Sequence, residues 1–100
     1  MALTAKQRRF LRAAAHQLKP VVLMGQHGLT DAVLAEIEQA LLIHELIKVR
    51  IPGVERAEKK PIIEAICAHS DCAHVQTVGR IATFYRPHPE RPQLVVPRAG

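Results

Sequence analysis

One hundred residues, 48% of them hydrophobic, are enough for one domain with a modest core. Only Phe10, Phe84 and Tyr85 are aromatic, which leaves almost no material for the base-stacking platforms of RRM or OB domains. A formal charge of +5 favours a polyanionic partner, and two cysteines, Cys67 and Cys72, are too few for a disulfide framework.

Thr4 and Gln7 make a capping-box pattern at the start of a first helix. Leu3, Phe10, Leu11, Ala14, Ala15 and Leu18 then recur at helical spacing as one apolar stripe. Arg8, Arg9 and Arg12 lie largely off that stripe and are expected to face solvent. Lys19-Pro20 stops the helix, because proline drives the residue before it out of the helical region.

Val21-Val22-Leu23-Met24 is a continuous apolar run and reads as a buried central strand. Gly25-Gln26-His27-Gly28 turns the chain. Thr30 is a good N-cap for a second helix, with Leu29 placed to staple against Leu34. Val33, Leu34, Ile37, Leu41 and Leu42 carry its apolar face to about His44. Leu46 to Ile51 alternates, with Ile47, Val49 and Ile51 on one face and Lys48 and Arg50 on the other, as in a half-buried strand.

Pro52-Gly53 breaks that strand. A third helix is expected over about 58–70, with Ile62, Ile63, Ile66 and Cys67 facing inward. Pro61 is tolerable only in a first turn, so the helix is expected to start no earlier than Glu58. His74–Val78 and Ile81–Arg86 read as strands joined by Gly79-Arg80, which suits a type II′ hairpin with glycine first. Four prolines between Pro87 and Pro97 make the remainder extended or disordered.

The expected fold is therefore an α/β sandwich in the order α-β-α-β-α-β-β with a four-stranded mixed sheet. The folded domain spans 1–87, and 88–100 form a Pro-rich, flexible tail. No apolar run approaches the roughly 20 residues of a membrane span, and no signal-peptide pattern opens the chain, so a cytoplasmic protein with no membrane contact is expected.

Charge is segregated by element. Lys6, Arg8, Arg9, Arg12 and Lys19 fall within residues 1–30, which carry no acid. Asp31, Glu36, Glu38 and Glu45 fall within 31–47, which carry no Lys or Arg. Basic character returns at Lys48, Arg50, Arg56, Lys59 and Lys60, and again from Arg80 onward. Such blocks suggest one basic and one acidic side, provided the fold gathers the basic segments.

Gly25-x-x-Gly28 lies between a strand and a capped helix. Glycines there allow a tight turn and close approach to the main chain, and the helix behind offers unpaired amides to an anion. It is neither a dinucleotide fingerprint nor a P-loop. Two such glycines alone fit a structural role as well; the acid-free, arginine-bearing helix upstream favours phosphate contact, to which Lys19 and His27 would add.

At these residues the chain resembles the CRM domain, and in particular the stand-alone bacterial YhbY-type proteins. The likeness runs through Leu3-Thr4-x-Lys6-Gln7, His16-x-Leu18-Lys19-Pro20-Val21-Val22 and Gly25-x-x-Gly28-Leu29-Thr30. It continues through Val33 to Leu41, His44-Glu45-Leu46-Ile47-Lys48-Val49, Val75-Gln76-x-Val78-Gly79 and Tyr85-Arg86-Pro87. The resemblance implies a fold similar to the C-terminal domain of bacterial translation initiation factor 3. It also implies RNA binding, association with precursors of the large ribosomal subunit, and contact through the turn Gly25, Gln26, His27 and Gly28. The turn departs from a cationic loop in having Gln-His at its centre, which leaves the contact to backbone amides or a titratable imidazole.

The expected RNA-contacting set is Lys6, Arg8, Arg9, Arg12, Lys19, the four residues of the turn, Lys48 and Arg50. The last two depend on whether the first helix covers the outer sheet face. RNA is the expected partner and a monomer the expected state. Cys67, His69, Asp71, Cys72 and His74 include metal-ligand types, but 67 and 69 diverge by about 200° on a helix, and no metal or other cofactor is expected. No catalytic pair stands out, since Glu36 and Glu38 also diverge. The competing reading is a protein-interaction adaptor that docks a basic partner on its acidic second helix.

Overall fold

The computed structural model describes residues 1–53 and 55–98. Its elements are α1 (Ala5–Ala15), β1 (Val22–Leu23), α2 (Asp31–His44), β2 (Leu46–Arg50), α3 (Arg56–Ser70), β3 (Ala73–Val78) and β4 (Ile81–Tyr85). The strands form one mixed sheet in the order β1-β2-β4-β3, parallel between β1 and β2 and antiparallel elsewhere. The expected architecture is present.

Period-two alternation in β2 sends side chains to both sheet faces, and each face has its own core. Ile47 and Val49 join Val22, Ala82 and Phe84 under α2 and α3, whose Ile37, Leu41 and Ile66 complete the larger core. On the opposite face Leu46, Val75 and Tyr85 pack against Leu11 and Ala15 of α1. α1 opens on the reciprocal box, with Gln7 N donating to Thr4 Oγ1 at 3.1 Å and Thr4 N to Gln7 Oε1 at 3.0 Å. It stops at Ala15, short of the proline, and Leu42 in α2 lies exposed rather than in the core.

Two elements differ from expectation. β1 is a two-residue edge strand, not a central one: Val22 and Met24 are buried, while Val21 and Leu23 are 46% and 64% exposed. An apolar run reports hydrophobicity but not the number of strands that will flank it. α3 begins at Arg56, two residues before the expected limit, so Pro61 is its sixth residue. The carbonyl deprived of a donor belongs to Ala57, an exposed residue where water can replace the missing N–H.

The segment after Tyr85 has no regular structure, yet it folds back on the domain. Glu45, the single residue between α2 and β2, is 2% exposed and adopts φ 64°. Its carboxylate accepts hydrogen bonds from the amides of His88 (2.6 Å), Gln93 (2.9 Å) and Leu94 (2.8 Å). Gln7 Nε2 donates to Pro97 O at 2.9 Å, and Leu94 and Val96 pack against the smaller core. Burial would raise the Glu45 pKa, but the three amides outweigh it and hold the carboxyl below its ordinary value.

Candidate nucleic-acid interface

Lys6, Arg9 and Arg12 stand exposed on α1, as expected. Arg8 does not. It is half-buried, and its Nη1 donates to the carbonyls of His74 and Val75, the latter at 2.9 Å. The pairing of β3 with β4 shifts register between His74 and Gln76, and a bulge of this kind leaves backbone groups without ladder partners. Arg8 satisfies two of them, so its work is structural. Arg12 and His16 follow it at intervals of four and thus continue the same flank of the helix.

α1 packs on Leu46, Val75 and Tyr85 of its sheet face. Beyond it, Lys48 lines a cleft of about 340 Å³ with His16, Pro20, Gln76, Ile81 and Thr83. Lys48 is half-buried there, Arg50 is exposed, and Arg50 pairs in register with the exposed Leu23. The outer face thus stays open at the end that carries both cations.

The Gly25–Gly28 turn closes with Gly28 N donating to Gly25 O at 3.0 Å, and Gly28 has φ +73°. A non-glycine residue would be strained at Gly28. Gly25 is different: its φ is not positive, and a Cβ built there meets nothing within 4 Å. The fold does not require glycine at 25, whereas a partner pressed against the main chain would. Gln26 and His27 are exposed beside it.

The amide seat at the start of α2 is narrower than expected. Thr30 Oγ1 takes the Val33 N–H at 3.2 Å, and Asp31 places a carboxylate at the same helix end. Lys19 is also remote from the turn. It precedes β1 while Gly25 follows it, a separation of about 20 Å for extended chain, and it lines a different pocket with Leu18, Val21 and His44.

The fold also brings in cations that no motif marked. Met24 N donates to Arg50 O at 2.9 Å and Ile51 N to Arg80 O at 2.7 Å, which sets the glycine turn, Arg50 and the Gly79-Arg80 hairpin side by side. The Arg80 guanidinium lies over Gly53, 3.6 Å from where a Cβ would stand. Lys59 Nζ donates to Gly79 O at 2.8 Å, so the start of α3, with Arg56 and Lys60, belongs to the same end of the molecule. The basic block 56–60 is plain in the sequence; its place beside Arg80 depends on the β3–β4 hairpin.

Glu38 and Glu45 are engaged within the fold, while Asp31, Glu55 and Glu58 share this end with the cations. Arg86 pairs with Glu38 at 2.5 Å and also donates to Ser70 O at 2.8 Å. That is the one ion pair among the described residues. With Glu38 paired and Glu45 buried, the acidic surface of α2 is reduced to Asp31 and Glu36. The metal-type residues are engaged elsewhere: His74 Nε2 bonds Thr77 Oγ1 at 2.7 Å, and burial pushes the Cys72 thiol up to about 12.

The model of the CRS1/YhbY (CRM) domain matches residues 3–86. The chain belongs to this family. A Haemophilus influenzae relative named "RNA-binding protein" is 50% identical over 96 residues, which covers 96% of each chain. Bacillus subtilis YqeI, named a probable RNA-binding protein, is 37% identical and is matched over 95% of this chain and 99% of its own. The solution structure of a Staphylococcus aureus protein titled as an RNA-binding candidate superposes with a TM-score of 0.83. It shares 30% identity and covers 96% of this chain and all of its own. The CRM domain here thus consists of the sheet, its three helices and the turn after β1.

Proposed function

We propose that this CRM protein binds RNA and associates with precursors of the large ribosomal subunit, holding the phosphate backbone rather than reading bases. The observation that carries the reading is electrostatic. Of fourteen Lys and Arg residues, Arg86 is the one in an ion pair among the described residues. Lys6, Arg9 and Arg12 on α1, and Arg50 with Arg80 beside the glycine turn, face solvent. Unneutralised cations release counterions when they meet phosphate, and that release supplies most non-specific affinity.

Gly25 adds a positional argument, since the fold does not require glycine there and a closely approaching backbone partner would favour it. His27 and Gln26 would contribute hydrogen bonds at that point, and Lys48 would contribute from the open cleft. The family membership and the names of the relatives support RNA over other polyanions. The ribosomal assignment rests on the family resemblance.

The test is binding of ribosomal RNA fragments over a salt series. Affinity should fall by about 0.7 log unit per log unit of salt for each phosphate contact on single strands. A flat salt profile, or no affinity, refutes the RNA reading. Sedimentation of the protein with precursor large subunits tests the assembly role, and co-migration only with mature subunits or with none refutes it. The adaptor reading predicts instead a basic protein partner lost on charge removal at Asp31 and Glu36.

A further inference from the structure

A cavity of about 760 Å³ forms a groove between α3 and the edge strand β3, on the sheet face opposite α1. Its volume falls within the range of small-ligand sites, roughly 300–1,000 Å³. One wall is apolar, formed by Ile63 and Cys67 of α3. The other is His74 and Thr77 of β3, joined by their 2.7 Å hydrogen bond. Arg56 and Lys60 stand on the rim with Lys59, against the single carboxylate of Glu64.

This division of character, an apolar slot with one imidazole under a cationic rim, matches a nucleotide: a flat base for the slot and a phosphate for the rim. We infer that the α3–β3 groove takes an unstacked base of the bound RNA, with its phosphate on Arg56 and Lys60. The inference rests on the RNA reading above and extends it, because every contact named there concerns backbone.

The walls suit the task. Burial, and secondarily the Arg8 charge, holds His74 below its usual pKa, so near neutral pH it offers an uncharged ring that can lie against a base or bond its edge. Burial raises the Cys67 thiol, which stays protonated and acts as apolar lining. Lys59 ties α3 to Gly79 across the groove mouth and so fixes its width beside the Arg80 hairpin.

The experiment is a pair of titrations of the ¹⁵N-labelled full chain, followed by amide chemical shifts. One titrant is single-stranded hexauridylate; the other is the same ribose-phosphate chain without bases. Hexauridylate should move the amides of Ile63, Cys67, His74 and Thr77, and the abasic chain should move only those near Arg56 and Lys60. Thr77→Phe, which fills the slot from an edge strand that tolerates aromatics, should weaken hexauridylate about tenfold, in line with the loss of one stacked base. Its amide spectrum reports whether it folds, and the wild-type maps decide the matter if it does not.

Equal shifts from both titrants at His74 and Thr77 would overturn the inference. So would hexauridylate shifts confined to α1 and the glycine turn, which would leave the RNA reading standing. Absence of shifts anywhere, together with no affinity for ribosomal RNA fragments, would remove both.

Discussion

Arg8, Arg9 and Arg12 are adjacent in sequence and alike in chemistry, but the structure assigns them different work, and charge changes should separate the two. Arg8 donates to two bulge carbonyls of β3. Removing a charged donor from half-buried acceptors costs about 1–3 kcal/mol. For a domain of this size that corresponds to a fall in Tm of about 4–8 °C per kcal/mol. Arg8→Ala should therefore show a clearly lower urea midpoint with an unchanged m-value.

Arg9 and Arg12 make no hydrogen bond or ion pair among the described residues, so Arg9→Glu/Arg12→Glu should keep its stability within about 0.5 kcal/mol. If each neutralises one phosphate, the salt slope of RNA binding should drop by about 1.4, from two contacts at 0.7 each. Scaled between 1 M and 0.15 M salt, that is about a 15-fold loss of affinity at physiological salt, before any added repulsion. The assays are urea unfolding and filter binding across a salt series. An Arg8→Ala protein as stable as wild type, or an Arg9→Glu/Arg12→Glu protein with unchanged slope, refutes the division of labour.

Further outcomes follow from single positions. Glu45→Gln should cost about 2–4 kcal/mol, because a neutral amide replaces an acceptor of charge-assisted bonds from three tail amides. The folded-state pKa of Glu45 is lowered, so its contribution is complete above about 4.5 and vanishes as pH falls through the folded value. The stability gap between wild type and Glu45→Gln should accordingly close on acidification, and a constant gap down to pH 2 contradicts the anchor. Gly28→Ala should destabilise by about 1 kcal/mol through its positive φ. Gly25→Ala should leave the urea midpoint alone yet weaken RNA binding, and equal affinity would remove the close-approach argument. Pro61→Ala should stabilise the protein by about 1–3 kcal/mol by restoring the bond to Ala57 O; a lower midpoint would mean that the proline pre-orders α3.

Local chemistry was legible without coordinates. The Thr4–Gln7 box, the Thr30 cap, the alternation of β2 and the glycine of the β3–β4 hairpin each involve residues within a few positions of one another. Their hydrogen bonds and periodicities are consequences of backbone geometry alone. So is the exposure of Lys6, Arg9 and Arg12, which follows from their angle to the apolar stripe. Element order follows as well, and with it the class of fold.

Pairing across the chain was not legible. Whether Val21–Met24 would lie at the centre or the edge of the sheet depends on which strand takes the place beside β2, and nothing within the run encodes that. Arg8 carries the same charge as its neighbours, and only a bulge 66 residues away makes it structural. Glu45 looks like one more acid of an acidic helix until the returning tail presents three amides to it. The glycine turn also changes under tertiary structure. Gly28 is explained by its own backbone angle, but Gly25, Arg50 and Arg80 become one surface only because β1, β2 and β4 end side by side. Sequence determined the elements and the sign of their charge. Tertiary contacts decided which charges are consumed by the fold and which remain for a partner.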